Sequence, residues 1–138
     1  MSDDAAAPVP PVRLSQTTYL TADIVGLSNF YAELFDLEEV EEFRSEVFRG
    51  LRLGDVMLGF SALEAYDLLD IGDRRDPTGT GQYLTFEMPD DEAVNERVKA
   101  AEALGATVIK GPFTTYYHAW QCVLADPDDN VFRINCFH

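Results

Sequence analysis

The sequence predicts an α+β fold in which two tandem βαβββ modules form a curved sheet around a cavity. Three observations carry that expectation. The order strand, helix, three strands occurs twice along the chain. Asp23 follows Gln16 at a spacing of seven positions in the first copy, and Asp90 follows Tyr83 at the same spacing in the second, each Asp standing at a helix start. The 138 residues make one domain's worth of chain, enough for a substantial core. An internal repeat restricts fold choice more than local propensities do.

The elements follow in order. Residues 1–11 are Asp, Ala and Pro without periodicity and are expected to form a mobile arm, so the single domain is placed at 12–138. "RLSQTTYL" (13–20) alternates as a half-buried strand, and Asp23 caps a helix over 24–35 that places Leu27, Phe30, Tyr31 and Leu34 on one face. "EVEEFRS", "EVFRGLRLG" and "DVMLGFSA" read as three antiparallel strands with turns at Ser45-Glu46 and Gly54-Asp55. The first module therefore spans 12–61. Residues 62–80, ending in "DRRDPTGTG", form a polar surface connection. The second module, 81–138, repeats the pattern. "GQYLTFEM" is a strand and "DDEAVNERVKAAEALG" a capped helix closed by Gly105. "TVIKGPF", "YYHAWQCVLA" and "NVFRINCF" are strands, the last two joined by the DPDDN turn.

Composition excludes several function classes. A net charge of -15 argues against nucleic-acid and anionic-membrane surfaces, and no apolar run is long enough to span a bilayer. The N-terminus lacks the basic and apolar regions of a secretory signal, so a cytoplasmic location is expected. Cys122 and Cys136 lie in apolar strands and are expected to be buried free thiols.

The duplicated module, with "NFYAELFDLEEV" after the first strand and "LADPDDNVFRI" near the end, resembles the glyoxalase/bleomycin-resistance/extradiol-dioxygenase superfamily, the vicinal oxygen chelate proteins. Asp36 and Asp129 stand where that family usually has Gly. The resemblance implies a central cavity, often a divalent metal, and often a homodimer. Carried over by position, the family's metal ligands fall on Gln16, Gly59, Tyr83 and Arg133. Only Gln16 is a credible donor. Gly59 has no side-chain donor, Tyr83 is protonated near neutral pH, and a guanidinium repels a metal ion. No cofactor and no metal are therefore expected. The other imidazole and thiol groups, His118, Cys122, Cys136 and His138, are a less favoured zinc set, with His118 and Cys122 sharing a face only if their segment is an uninterrupted strand.

Strand alternation puts Gln16, Gly59, Tyr83, Thr85, Glu87, Arg133 and Asn135 on the polar face, with Glu87 and Arg133 as its ion pair. Tyr116, Tyr117 and Trp120 are read as an aromatic wall, with Phe48 and Arg52 as further ligand contacts. Two functions fit these residues. The first is a metal-independent protein that binds a small, partly aromatic ligand, of the sequestration or resistance type. The alternative is a metal-free isomerase, lyase or cyclase in which Arg133 and Tyr83 stabilise an oxyanion and Glu87 or His118 moves a proton.

Overall fold

The computed structural model describes residues 13–75 and 80–138, so the arm expected at 1–11 lies outside the described residues. Each module opens with a strand that turns directly into a capped helix. In the first, β1 (Gln16–Thr21) leads to α1 (Ile24–Phe35), where the Asp23 carboxylate accepts from the Gly26 N–H at 2.9 Å. In the second, β4 (Leu84–Glu87) leads to α3 (Asp91–Ala103), where Asp90 accepts from the Ala93 N–H at 2.8 Å. The same residue type does the same work at both positions, satisfying an N–H that the helix itself leaves without a partner.

The returning strands complete two separate sheets. β2 (Phe48–Leu53) and β3 (Val56–Ala62) give the order β1-β3-β2, and α2 (Ala65–Leu68) lies in the connection. β5 (Thr107–Thr114), β6 (Ala119–Ala125) and β7 (Val131–Phe137) give the order β4-β7-β6-β5. In both sheets the first strand runs parallel to the last. Thr18 faces Gly59 in one and Thr85 faces Arg133 in the other, which confirms the register inferred from the repeat. The sheets are not closed on each other.

Two expected strands change. "EVEEFRS" is not a full strand: Glu39 makes one bridge to Leu51, and the chain then winds into a 3₁₀ turn at Glu41–Phe43. The Arg44 guanidinium bonds back to the Glu39 carboxylate and secures that turn, while consecutive glutamates offer little to a pleated surface. Likewise, β6 begins at Ala119, because Tyr116–His118 form a turn in which His118 has a φ of 68°. His118 and Cys122 therefore do not share a strand face.

One core joins both modules. Phe30 and Tyr31 of α1 meet Phe132 of β7, and Phe35 stacks on Phe86 of β4 at 4.3 Å between centroids. Tyr31 is fully buried, and its hydroxyl donates to Asp126 at 2.7 Å. Burial pushes the pKa of Tyr31 strongly upward and that of the neighbouring Tyr19 up to about 12. Both hydroxyls stay protonated, and Tyr31 acts as the donor to Asp126.

Asp36 and Asp129 sit at φ of 55° and 65°, the left-handed region that favours glycine. Asp36→Gly and Asp129→Gly are each expected to raise stability by about 0.5–1 kcal/mol, the relief of backbone strain exceeding the entropy that glycine adds to the unfolded chain. A denaturant midpoint that fell in both variants would contradict this.

Candidate functional site

The polar face of the second sheet carries a continuous hydrogen-bonded chain. Arg133 is half-buried on β7, where its Nε donates to Thr85 Oγ1 at 2.9 Å and its Nη1 donates to Tyr117 Oη at 3.3 Å. The guanidinium carbon stands 4.8 Å above the centroid of the Tyr83 ring, a cation–π arrangement. Tyr117 also accepts from Gln121 Nε2 at 2.9 Å. Gln121 Nε2 donates to Asn135 Oδ1 at 2.9 Å, and Asn135 Nδ2 donates to Glu87 Oε1 at 2.8 Å.

This chain corrects the expected ion pair. Among the described residues Glu87 and Arg133 form no salt bridge, because Glu87 is held by Asn135 and, through its second oxygen, by the Phe137 N–H at 2.7 Å. The two charges are linked only through Tyr117, Gln121 and Asn135. Gln121 and Asn135 are buried, so each needs the partners it has. Gln121 was missed in the sequence, although it is the one polar side chain among the apolar residues of "AWQCVLA", and its cross-strand partner is Asn135.

Tyr117 has the most chemical promise in this group. Its hydroxyl oxygen accepts from Gln121 and Arg133, which leaves its own proton free to donate outward. The Gln121 hydrogen bond, followed by the nearby Arg133 charge, lowers its pKa below the usual tyrosine value. The result is a phenol with a lowered pKa beside a fixed cation.

The remaining expected contacts divide. Tyr116 is 93% exposed and touches Tyr117 edge-on, so it forms no wall. Trp120 points to the helix side, where its Nε1 donates to Asn95 Oδ1 of α3 at 2.8 Å, and it leaves the polar face altogether. His118 is exposed in the Tyr116–His118 turn, where its backbone N–H is held by the Thr115 carbonyl at 3.0 Å. Tyr83 is half exposed and lines an open depression of about 390 Å³ with Thr18, Tyr66 and Gln82. Gln16 lines a different depression, of about 520 Å³, together with Arg52, Val40 and Met57. Thus Gln16 and Tyr83 do not share one enclosed cavity.

At Gly59, where the resemblance puts a metal ligand in the first module, neighbouring side chains fill the space. A Cβ placed on Gly59 would lie 2.9 Å from Gln16 Nε2 and 3.0 Å from the Phe48 ring. Gln16 Nε2 in turn donates to Thr18 Oγ1 at 2.7 Å. Phe48 therefore covers Gly59. With an apolar ring there and a guanidinium at Arg133, the donor set does not fit a divalent ion.

A model of a glyoxalase-like domain matches residues 16–135. The chain is 44% identical to a glyoxalase/bleomycin resistance protein/dioxygenase family enzyme from Burkholderia phytofirmans PsJN, over 92% of this chain and 100% of that one, with a TM-score of 0.90. It shares its fold with a lactoylglutathione lyase from Agrobacterium tumefaciens, at 21% identity over 92% and 95% of the two chains and a TM-score of 0.70. It shares it too with the fosfomycin resistance protein FosX from Mesorhizobium loti, at 14% identity over 94% and 95% and a TM-score of 0.69. No curated protein sequence matches the chain. No helix among the described residues is long and apolar enough to cross a membrane.

Proposed function

The chain belongs to the glyoxalase-like domain family, and from that premise we propose that it binds a small, partly aromatic anion without using the family's metal positions. One observation carries the reading: Arg133 is fixed by Thr85, Tyr117 and the Tyr83 ring, where a chelating member would place a donor. Its guanidinium has five N–H donors, of which two are spent on these hydroxyls, so several remain for a carboxylate or phenolate. The Tyr117 proton adds a second kind of donor beside them. The Tyr83 ring supplies a flat apolar surface for an aryl group.

Binding is favoured over acid/base catalysis by the fate of the two proton-transfer candidates. Glu87 is occupied by two donors, and His118 lies in an exposed turn. The enzyme reading has one supporting observation. The Burkholderia relative is described as an enzyme, and here the Tyr117 hydroxyl, its pKa lowered, would replace Glu87 or His118 as proton donor. In either case the ligand occupies the same group of residues, and a second copy of the chain is the partner that closes the open sheet face.

Benzoate, salicylate and phenylphosphonate test the binding reading by calorimetry and thermal shift. Stabilisation by about 2.7 kcal/mol is expected when the free ligand is 100 times its Kd. Tyr117→Phe should weaken salicylate binding by about tenfold, the worth of one good hydrogen bond to a charged group. If aromatic amines stabilise the protein and none of these anions does, the proposal fails.

A further inference from the structure

A second polar centre lies apart from the Arg133 group, where the last residues of β7 meet the start of α3. Asp91 is the first residue of α3, and Cys136 and His138 stand two apart at the end of the chain's final strand segment. His138 Nε2 lies 2.6 Å from Asp91 Oδ1. One ligand atom from each of Asp91, Cys136 and His138 falls within 4.8 Å of the others. Three donor types, a thiol sulfur, an imidazole nitrogen and a carboxylate oxygen, thus converge from two elements that are far apart in sequence.

From this convergence we infer that Asp91, Cys136 and His138 form a binding site for a zinc-type divalent ion. Zinc takes S, N and O ligands at about 2.0–2.3 Å, which places the ligand atoms about 3.3–3.7 Å apart on a tetrahedron. To reach that geometry the His138–Asp91 contact opens from 2.6 Å, and the atoms now up to 4.8 Å apart draw together, the exposed His138 side chain being the one free to move. The mixed donor set selects a borderline ion over magnesium or calcium, which prefer oxygen alone. An open depression bounded by Pro89, Asp90, Glu92 and Phe137 gives the ion access and leaves its fourth position to water.

The packing keeps these donors in place. Cys136 is only 5% exposed, whereas the imidazole and the Asp91 carboxylate reach solvent. The start of α3 disfavours a cation through its exposed N–H groups, but Asp90 already caps the helix and Asp91 and Glu92 place negative charge in the first turn. Binding releases the Cys136 proton to solvent, and coordination of the ion replaces the direct His138–Asp91 contact.

The test titrates the metal-free full chain with Co²⁺ and then displaces it with Zn²⁺. Saturation by a single ion with thiolate-to-cobalt absorption in the near ultraviolet is expected. His138→Ala and Asp91→Asn should each weaken Zn²⁺ by at least the roughly 10–100-fold that loss of a supporting partner costs. Both change exposed side chains, so they can be read even if Cys136→Ser fails to fold. Cys122→Ala should keep the absorption, because burial holds that thiol at a pKa of about 11 inside the core. Absorption that persists in Cys136→Ser or vanishes in Cys122→Ala overturns the site. So does affinity unchanged in both His138→Ala and Asp91→Asn, which would leave an ordinary His–Asp pair.

Discussion

Asp126→Ala is expected to destabilise the protein by about 3–4 kcal/mol, read as a lowered urea midpoint at unchanged slope. The carboxylate is only 4% exposed, and it accepts from four directions. Oδ1 takes the Asp128 N–H at 2.8 Å and the Asn130 N–H at 2.9 Å. Oδ2 takes Asn130 Nδ2 at 3.0 Å and the Tyr31 hydroxyl at 2.7 Å. The turn donors are near the surface, where water replaces the lost bonds at small cost. Tyr31 is fully buried and would keep only its long 3.4 Å contact with the Tyr19 hydroxyl, so loss of its short bond to Asp126 accounts for about 1–3 kcal/mol of the loss. Asp126→Asn should lose about half as much, since one oxygen remains to accept.

Coupling separates the two contributions. In a double-mutant cycle, Tyr31→Phe combined with Asp126→Ala should cost at least about 1 kcal/mol less than the two single changes added together. The same turn sets where β7 begins, and β7 carries Arg133. A stability loss below about 0.5 kcal/mol for Asp126→Ala would mean that the turn is held by its backbone alone and that this carboxylate does little.

Much of this was legible in the sequence because it depends on periodicity and on side chains that act locally. Asp23 and Asp90 announced both helix starts, and the alternation of "NVFRINCF" placed Arg133 and Asn135 opposite Phe132 and Ile134 correctly. What could not be read depends on which of several reachable partners a long side chain takes. Glu87 and Arg133 have opposite charges on one face, and attraction alone suggests a pair. Asn135 and the Phe137 N–H lie nearer the Glu87 carboxylate, and two short donors outcompete a distant cation in a half-solvated setting. Trp120 was misplaced for a related reason. The turn at Tyr116–His118 ends the alternation assumed for the aromatic run, and Asn95 on α3 offers the indole a half-buried partner that strand propensity cannot reveal. The Asp91–Cys136–His138 cluster depends on the packing of α3 against β7, a contact with no local signature in the sequence.

Charge reversal at Arg133 has the largest expected effect on binding. Arg133→Glu should weaken benzoate by at least about 100-fold, because it removes charge-assisted donors worth roughly 3 kcal/mol and sets two like charges against each other. Arg133→Met removes the donors without the repulsion and should cost about tenfold to 100-fold. Arg133→Lys keeps the charge but loses the planar fork, so it should fall between wild type and Arg133→Met. Stability should change by only about 1 kcal/mol in each variant, since the side chain is half-buried and its partners Thr85 and Tyr117 can turn to water. Benzoate binding that survives Arg133→Glu undiminished would show that the ligand lies elsewhere. The same variant also tests the metal argument, because it places a carboxylate at a family ligand position. Removing the cation still leaves Gly59 without a donor, under the Phe48 ring, and Tyr83 with only a phenol oxygen to offer. No divalent ion is therefore expected to bind the polar face of Arg133→Glu, and a new cobalt site that persists in an added His138→Ala background would show that Phe48 yields more readily than its packing implies.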